Sequence, residues 1–268
     1  MATRTPVTRP TVTPLKAAFL VVEGQWTWYR RNWRATAISN FVQPVLFLLA
    51  MGVGFGSQVQ PGEATGGLRY LVFLAPALIV TAAVQSAMFE STYAVFSAFK
   101  WQRTYLGMVS TPITPAQVLY GQLLWIALKL TAGSAAFLLV AAALGAVASP
   151  AAVLAVPFAV LAGMAFSTPV VAFTATREKP DAFNGLYRFV LIPMTLFTGA
   201  FFPISQLPGW LHPVAWLTPA WHGIELARGA ASGTLSLLPA LAHLAYLSTV
   251  VVLGVVLGRR FFHRRLAV

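Results

Sequence analysis

The chain contains no cysteine, so disulfides, thiolate nucleophiles and cysteine-based metal sites are all excluded. Charge is also scarce: 9% of the 268 residues are Asp, Glu, Lys or Arg, against roughly 25% in an ordinary soluble domain. Acidic residues are the rarest of these, 6 against 18 basic, and Asp181 is the sole aspartate. With 58% hydrophobic residues and a mean hydropathy of +0.74, a soluble globular domain is excluded. What the chain does have is several apolar runs that reach the ~20 residues needed to cross a bilayer as helix. Val118 to Leu144 and Leu237 to Leu257 are apolar on every face, unlike the short alternating segments of a membrane barrel. The expected class is an all-α polytopic membrane protein.

The net charge of +12 would suggest nucleic acid as partner if the protein were soluble. Its placement argues otherwise. Fifteen of the 18 basic residues fall in four groups: six within 4–34, then Lys100 and Arg103, then Arg177, Lys179 and Arg188, and finally Arg259, Arg260, Arg264 and Arg265. Each group flanks an apolar run, as cytoplasmic segments do under the positive-inside rule. Membrane lipids are therefore the expected surroundings, with no nucleic-acid partner.

Residues 1–14 alternate Thr, Pro and Arg without an apolar stretch and are expected to be a disordered tail, not a signal peptide. In 15–34, Leu15, Ala18, Phe19, Val22, Trp26, Tyr29 and Trp33 share one helical stripe, with Arg30 and Arg31 at its end. This pattern predicts an interfacial helix on the cytoplasmic surface. Six spans are predicted: about 38–56, 68–98, 115–144, 150–175, 183–202 and 236–258. Segment 99–110 is too polar to cross. Thr114, Pro115 and Gln117 form a capping-box start for the third span, and Gly145 to Ser149 a tight outer turn. Residues 176–182 are a short cytoplasmic turn.

Segment 204–232 is apolar, yet it holds Pro208, Pro213 and Pro219 and the pair Glu225 and Arg228. A seventh crossing here would put the Arg-rich tail, 259–268, on the side opposite the Arg-rich N-terminal flank. Two short outer re-entrant helices are expected instead, the second capped by Thr218 and Pro219 and closed by Gly229. Both termini are then cytoplasmic. Glycines 52, 54 and 56, and the pair Gly254 and Gly258, offer small faces for close helix contact. The chain shows no internal repeat, which weighs against an inverted-repeat secondary transporter.

Glu90 and Lys129 are ionisable residues inside predicted spans. Each costs about 2.5 to 3.5 kcal/mol at the bilayer centre, so each is expected to pair or to face a polar path. A structural ion pair between the second and third spans, a lining that meets an anionic headgroup, and simple snorkelling all remain open. His212 and His222 lie ten residues apart near Trp210, Trp216 and Trp221, with only Glu225 as a further ligand type. That spacing matches no zinc pattern, and the tryptophans are expected to set the depth of the outer segment. Glu225 and Arg228 read as a local i, i+3 pair. No Gly-x-Ser-x-Gly or His-Glu-x-x-His occurs, and one aspartate cannot form a paired-aspartate site, which argues against an intramembrane enzyme. No lysine follows a glycine, so no Gly-x-x-x-x-Gly-Lys-Ser/Thr loop exists to hold ATP.

Two stretches carry a family resemblance. Phe89-Glu90-Ser91-Thr92-Tyr93, Gln102 to Thr114, and Gly121-Gln122-Leu123-Leu124-Trp125 with Lys129 resemble the centre of type 2 ABC exporter permeases. The nodulation-factor (lipooligosaccharide) branch is the most similar, with daunorubicin-resistance permeases as relatives. Phe197-Thr198-Gly199-Ala200-Phe201-Phe202-Pro203, Leu207 to Leu211 and Pro219 to Gly229 are similar to the outer segment of the same families. Gln122 departs from the pattern, which carries an acidic residue there. The resemblance implies a permease subunit of the inner membrane that pairs with a second permease copy or paralogue and with two P-loop ATPase subunits. ATP and magnesium would be held by those subunits, with no cofactor on this chain. It further implies that 99–110 is the coupling segment, with Trp101, Arg103, Tyr105 and Leu106 meeting the ATPase, and that 15–34 is a gate helix. A glycolipid or lipid-linked saccharide is the implied cargo and hydrophobic drugs are the alternative. A channel, a secondary transporter and an intramembrane enzyme are the rival classes.

Overall fold

The computed structural model describes residues 13–54, 56, 62, 65 and 67–267. Most of the disordered-tail expectation and most of the loop between the first two spans lie outside the described residues, as does the side chain of Trp33. The described residues are mostly helical, with no strand among them. Four described helices are long and apolar enough to cross a membrane: Tyr70–Lys100, Pro115–Ala143, Pro150–Ala175 and Leu237–Leu266.

Helix α1 is Pro14–Phe47 and continues as a π-helical turn, Leu48–Gly54. Helix α2 is Tyr70–Lys100, widened by a π-helical turn at Glu90–Ala94. A short helix α3, Thr104–Val109, precedes α4, Pro115–Ala143. Helix α5, Pro150–Ala175, opens as a 3-10 turn over Pro150–Leu154. Residues 181–197 form α6, again with a π-helical turn inside it. Segment 204–232 contributes two 3-10 turns and two helices, α7 (His212–Trp216) and α8 (Pro219–Ser232). Helix α9, Leu237–Leu266, closes the chain.

The boundaries follow from local chemistry. Thr114 accepts from the Gln117 amide while the Gln117 side chain accepts from the Thr114 amide, and Pro115 starts α4 where a backbone donor is unneeded. Helix α4 ends at Gly145, whose φ of +70° suits the left-handed turn, and Ser149 then caps Pro150. Thr218 caps α8 through the Trp221 amide. Segment 204–232 forms no single crossing helix.

Three expectations need correction. The surface helix and first span drawn as separate elements are one helix, α1, because residues 35–43 contain no glycine or proline to end it. The fifth span stops at Phe197 and not at 202: Gly199 turns the chain at φ +78°, and a Cβ there would lie 2.8 Å from Ile204. Helix α8 runs past Gly229, which packs against Leu235, and closes at Gly233 with φ +74°.

Helix α2 is the centre of the bundle, buried over almost its whole length, whereas α9 leaves Leu237, Leu238, Leu241, Val252, Leu253 and Val256 exposed. Small residues set the closest crossings. A Cβ on Gly254 would meet Thr168 and the Pro169 backbone of α5 within 2.4–2.7 Å, and one on Gly223 would meet Ala162 of α5 at 2.5 Å. Backbones that approach this closely gain contact that larger residues would forbid.

Candidate transport and coupling sites

Helix α1 lies lengthwise on α4. Val21 packs on Gly121, Gln25 donates to Gln122 Oε1 at 2.5 Å, and Tyr29 meets Trp125 edge-on at 5.6 Å. The residue numbers advance together along both helices, so the stretch from Val21 to Tyr29 runs beside the first turns of α4. Where α1, α2 and α4 diverge they enclose a cavity of about 540 Å³, lined by Trp26 and Tyr29, by Ile79 and Ser86, and by Trp125 and Lys129. That size falls within the roughly 300 to 1,000 Å³ of small-molecule sites. Arg30 and Arg31, in contrast, are exposed to solvent or headgroups.

Lys129 stands about 21 Å along α4 from Pro115, at 1.5 Å per residue. Its ammonium contacts the Glu90 carboxylate, and both side chains are largely buried. The ammonium also lies 5.3 Å from the Tyr29 ring centre. Glu90 is the first residue of the π-helical turn in α2, a departure from α-helix that recurs at functional sites. The same turn carries Ser91, which hydrogen-bonds Ser167 of α5 at 2.6 Å. Thus the two charges neutralise each other beside the cavity, with Lys129 among its lining residues.

At the turn after α2 the residues expected to couple divide into two kinds. Trp101 is 61% exposed, and Arg103, held in the left-handed region at φ 53°, and Leu106 also face outward. Tyr105 does not: it is fully buried, its hydroxyl donates to Gln122 Oε1 at 2.9 Å, and its ring packs on Phe99 and Phe262. This burial leaves Tyr105 no exposed surface in the turn. Its spacing in the turn gave no sign of this, because the covering residue, Phe262, is 157 positions away in the sequence.

Beside the turn, the Glu178 carboxylate contacts Lys100 and lies 3.5 Å from Arg265. Arg265 also donates to the Thr174 and Ala175 carbonyls and stacks on Phe99. The ends of α2, α5 and α9 are joined by this network. The Lys100 hydrogen bond, aided by the Arg265 charge, holds the Glu178 carboxyl below the usual carboxylate range against a smaller opposing effect of desolvation.

At the opposite end of the bundle Arg228 makes more than the expected local pair. It stands 3.8 Å from Glu225, donates to the carbonyls of Gly199 at 2.9 Å and of Ala200 and Phe73 at 3.4 Å, and lies over the Phe73 ring. It pins the glycine turn after α6 to α2 and α8. Trp210 and Trp216 are exposed, while Trp221 packs edge-on against both His222 and His243. His212 and His222 do not meet: His212 Nε2 is 3.1 Å from the Leu207 carbonyl, whereas His222 pairs with His243, a residue the sequence pattern did not single out.

Long apolar helices around an aromatic cavity, with a polar turn exposed at one end, define a multi-pass membrane transport subunit. The model for the ABC-2 type transporter family matches residues 16–231, and the chain belongs to that family as a permease. Its relatives include Nodulation protein J of Sinorhizobium fredii (strain NBRC 101917 / NGR234), 34% identical over 76% of this chain and 81% of that protein. Nodulation protein J of Rhizobium leguminosarum bv. viciae is 33% identical over 75% and 79%, and that of Rhizobium meliloti (strain 1021) 30% over 76% and 80%.

Proposed function

We propose that this permease moves an amphipathic molecule, a glycolipid or lipid-linked saccharide, outward from the cytoplasm or inner leaflet, driven by ATP hydrolysed on a separate P-loop subunit. The observation that carries this reading is the aromatic cavity at the α1–α2–α4 junction. Its apolar wall suits an acyl chain, and the neutralised Lys129 retains N–H groups for an uncharged acceptor such as a sugar or amide oxygen. Two permease copies and two ATPase subunits with ATP and magnesium make up the working complex. The chain itself offers no Gly-x-x-x-x-Gly-Lys-Ser/Thr loop. In this arrangement six spans cross the inner membrane with both termini cytoplasmic, as the basic clusters at 4–34, 100–103, 177–188 and 259–265 favour. Trp101, Arg103 and Leu106 face the ATPase, and α1 is the gate beside them.

The test is reconstitution of the full permease–ATPase complex in lipid vesicles. A lipid-linked saccharide should stimulate ATP hydrolysis, and Tyr29→Ala should reduce that stimulation while leaving basal hydrolysis intact. Stimulation by an anthracycline but by no saccharide lipid would overturn this reading in favour of a drug exporter.

A further inference from the structure

His222, His243, Trp216 and Tyr246 form a cluster that the transport reading does not use. His222 Nε2 lies 2.9 Å from the Trp216 carbonyl, which only accepts, so this nitrogen carries the hydrogen. A neutral imidazole has one N–H, so His222 Nδ1 presents a lone pair. His243 Nδ1 stands 2.7 Å from it and must therefore be the donor, which leaves the lone pair of His243 on Nε2. One backbone carbonyl thus fixes both tautomers.

The consequence is an unequal affinity for protons. A proton added at His243 Nε2 leaves the His243–His222 hydrogen bond in place and makes it charge-assisted, hence shorter and stronger. A proton added at His222 Nδ1 would set two N–H groups against each other unless His243 moved its own hydrogen from Nδ1 to Nε2. Burial also pushes the His222 imidazole down to about 4, more than the Trp216 hydrogen bond raises it, and His243 lowers it further.

The surroundings supply little competing charge. On α8, Glu225 is paired with Arg228 at 3.8 Å. Helix α5 has no titratable residue between Ala155 and Ala175, and neither has its opening turn. Tyr70 of α2 lies beside Arg228. On α7, His212 is separated from the pair by Trp216, its ring 6.0 Å from that indole. From α9, Tyr246 stacks on His222 at 3.9 Å and donates to the Leu217 carbonyl at 2.5 Å. The cluster therefore fastens the α7–α8 corner to α9 by two hydrogen bonds, one insensitive to protons in this range and one strengthened by a single proton.

We propose that His222 and His243 form a binding site for one proton, taken up at His243 Nε2, and that the bound proton locks the α7–α8 corner onto α9. With the orientation proposed above, acid on the outer side holds this corner shut and the neutral pair is the form that releases it.

The full-length protein, labelled with ¹⁵N-histidine in bilayers, has four histidines to resolve, assigned by single His→Gln variants. Between about pH 8 and about pH 5, His222 should remain the Nε2–H tautomer while His243 passes from Nδ1–H to the doubly protonated ring. Protonation of His222 first, or of both rings together, would overturn the site. A cysteine at the buried Ala215, compared with one at the exposed Ser205, reads the lock itself. Its labelling rate relative to Ser205→Cys should fall severalfold on acidification and lose that dependence in His243→Gln. Unchanged relative rates would refute the lock. The tautomer result is independent of orientation, so a failure of the topology is distinguishable from a failure of the site.

Discussion

At the residue scale, Glu90 and Lys129 are a pair whose members cannot be removed singly at low cost. Breaking a buried ion pair from one side costs about 3 to 5 kcal/mol, because a charge is left without a partner in a poor dielectric. Glu90→Gln and Lys129→Met should each lower thermal stability and yield, and the double variant should recover part of both, a non-additivity that a double-mutant cycle measures directly. Strictly additive losses would mean that the contact contributes nothing. Tyr105 and Trp101 give an opposite contrast within one turn. Tyr105→Phe removes the hydrogen bond to Gln122 and should cost about 0.5 to 1.5 kcal/mol while leaving ATPase association unchanged. Trp101→Ala, at an exposed position, should leave stability within about 0.5 kcal/mol and weaken the pull-down of the ATPase subunit. Equal association in wild type and Trp101→Ala would remove Trp101 from the docking surface. The intramembrane charges were legible in the sequence because any charge there needs an explanation. The burial of Tyr105 was not, since an aromatic residue in a polar turn reads the same whether it points in or out.

At the scale of elements, helix contacts turn on absent side chains. Gly121 lets α1 settle onto α4, and a Cβ at that position would stand 2.4 Å from Val21 Cβ. Gly121→Leu should push the helices apart, cost about 1 to 3 kcal/mol through overpacking, and diminish lipid-stimulated hydrolysis by deforming the adjoining cavity. Adding Val21→Ala should restore part of the loss, and a Gly121→Leu protein as stable and active as wild type would contradict the close approach. The adjoining ends of α2, α5 and α9 depend on charge instead. Glu178 has a folded-state affinity for protons below that of the unfolded chain, so its contribution is present above the ordinary carboxylate range and is lost as pH falls through the depressed value. Melting curves should therefore show wild type losing its advantage over Glu178→Gln on acidification. The predicted break between a surface helix and a first span failed here, because amphipathic periodicity describes a face without saying what covers it. Trp26 and Tyr29 serve a cavity wall as readily as a headgroup layer.

For the whole molecule, the decisive quantity is the side of the membrane on which each turn lies. Because the chain lacks cysteine, single cysteines at Ser149 and Ser205 should react with an impermeant maleimide added outside intact cells, and one at Ala267 should react only after permeabilisation. External labelling at Ala267 would refute an even number of crossings. The membrane class, the capped starts of α4 and α8, and the need of Glu90 and Lys129 for partners were determined by sequence alone, since hydropathy, capping and the cost of buried charge act over a few residues or on single ones. The tertiary structure alone decided that α1 lies along α4, that Arg228 holds the turn at Gly199, that Tyr105 faces inward, and that His222 meets His243. These contacts join helices remote in the chain, and no local spacing encodes how apolar helices, alike in composition, choose which of their faces to bury against one another.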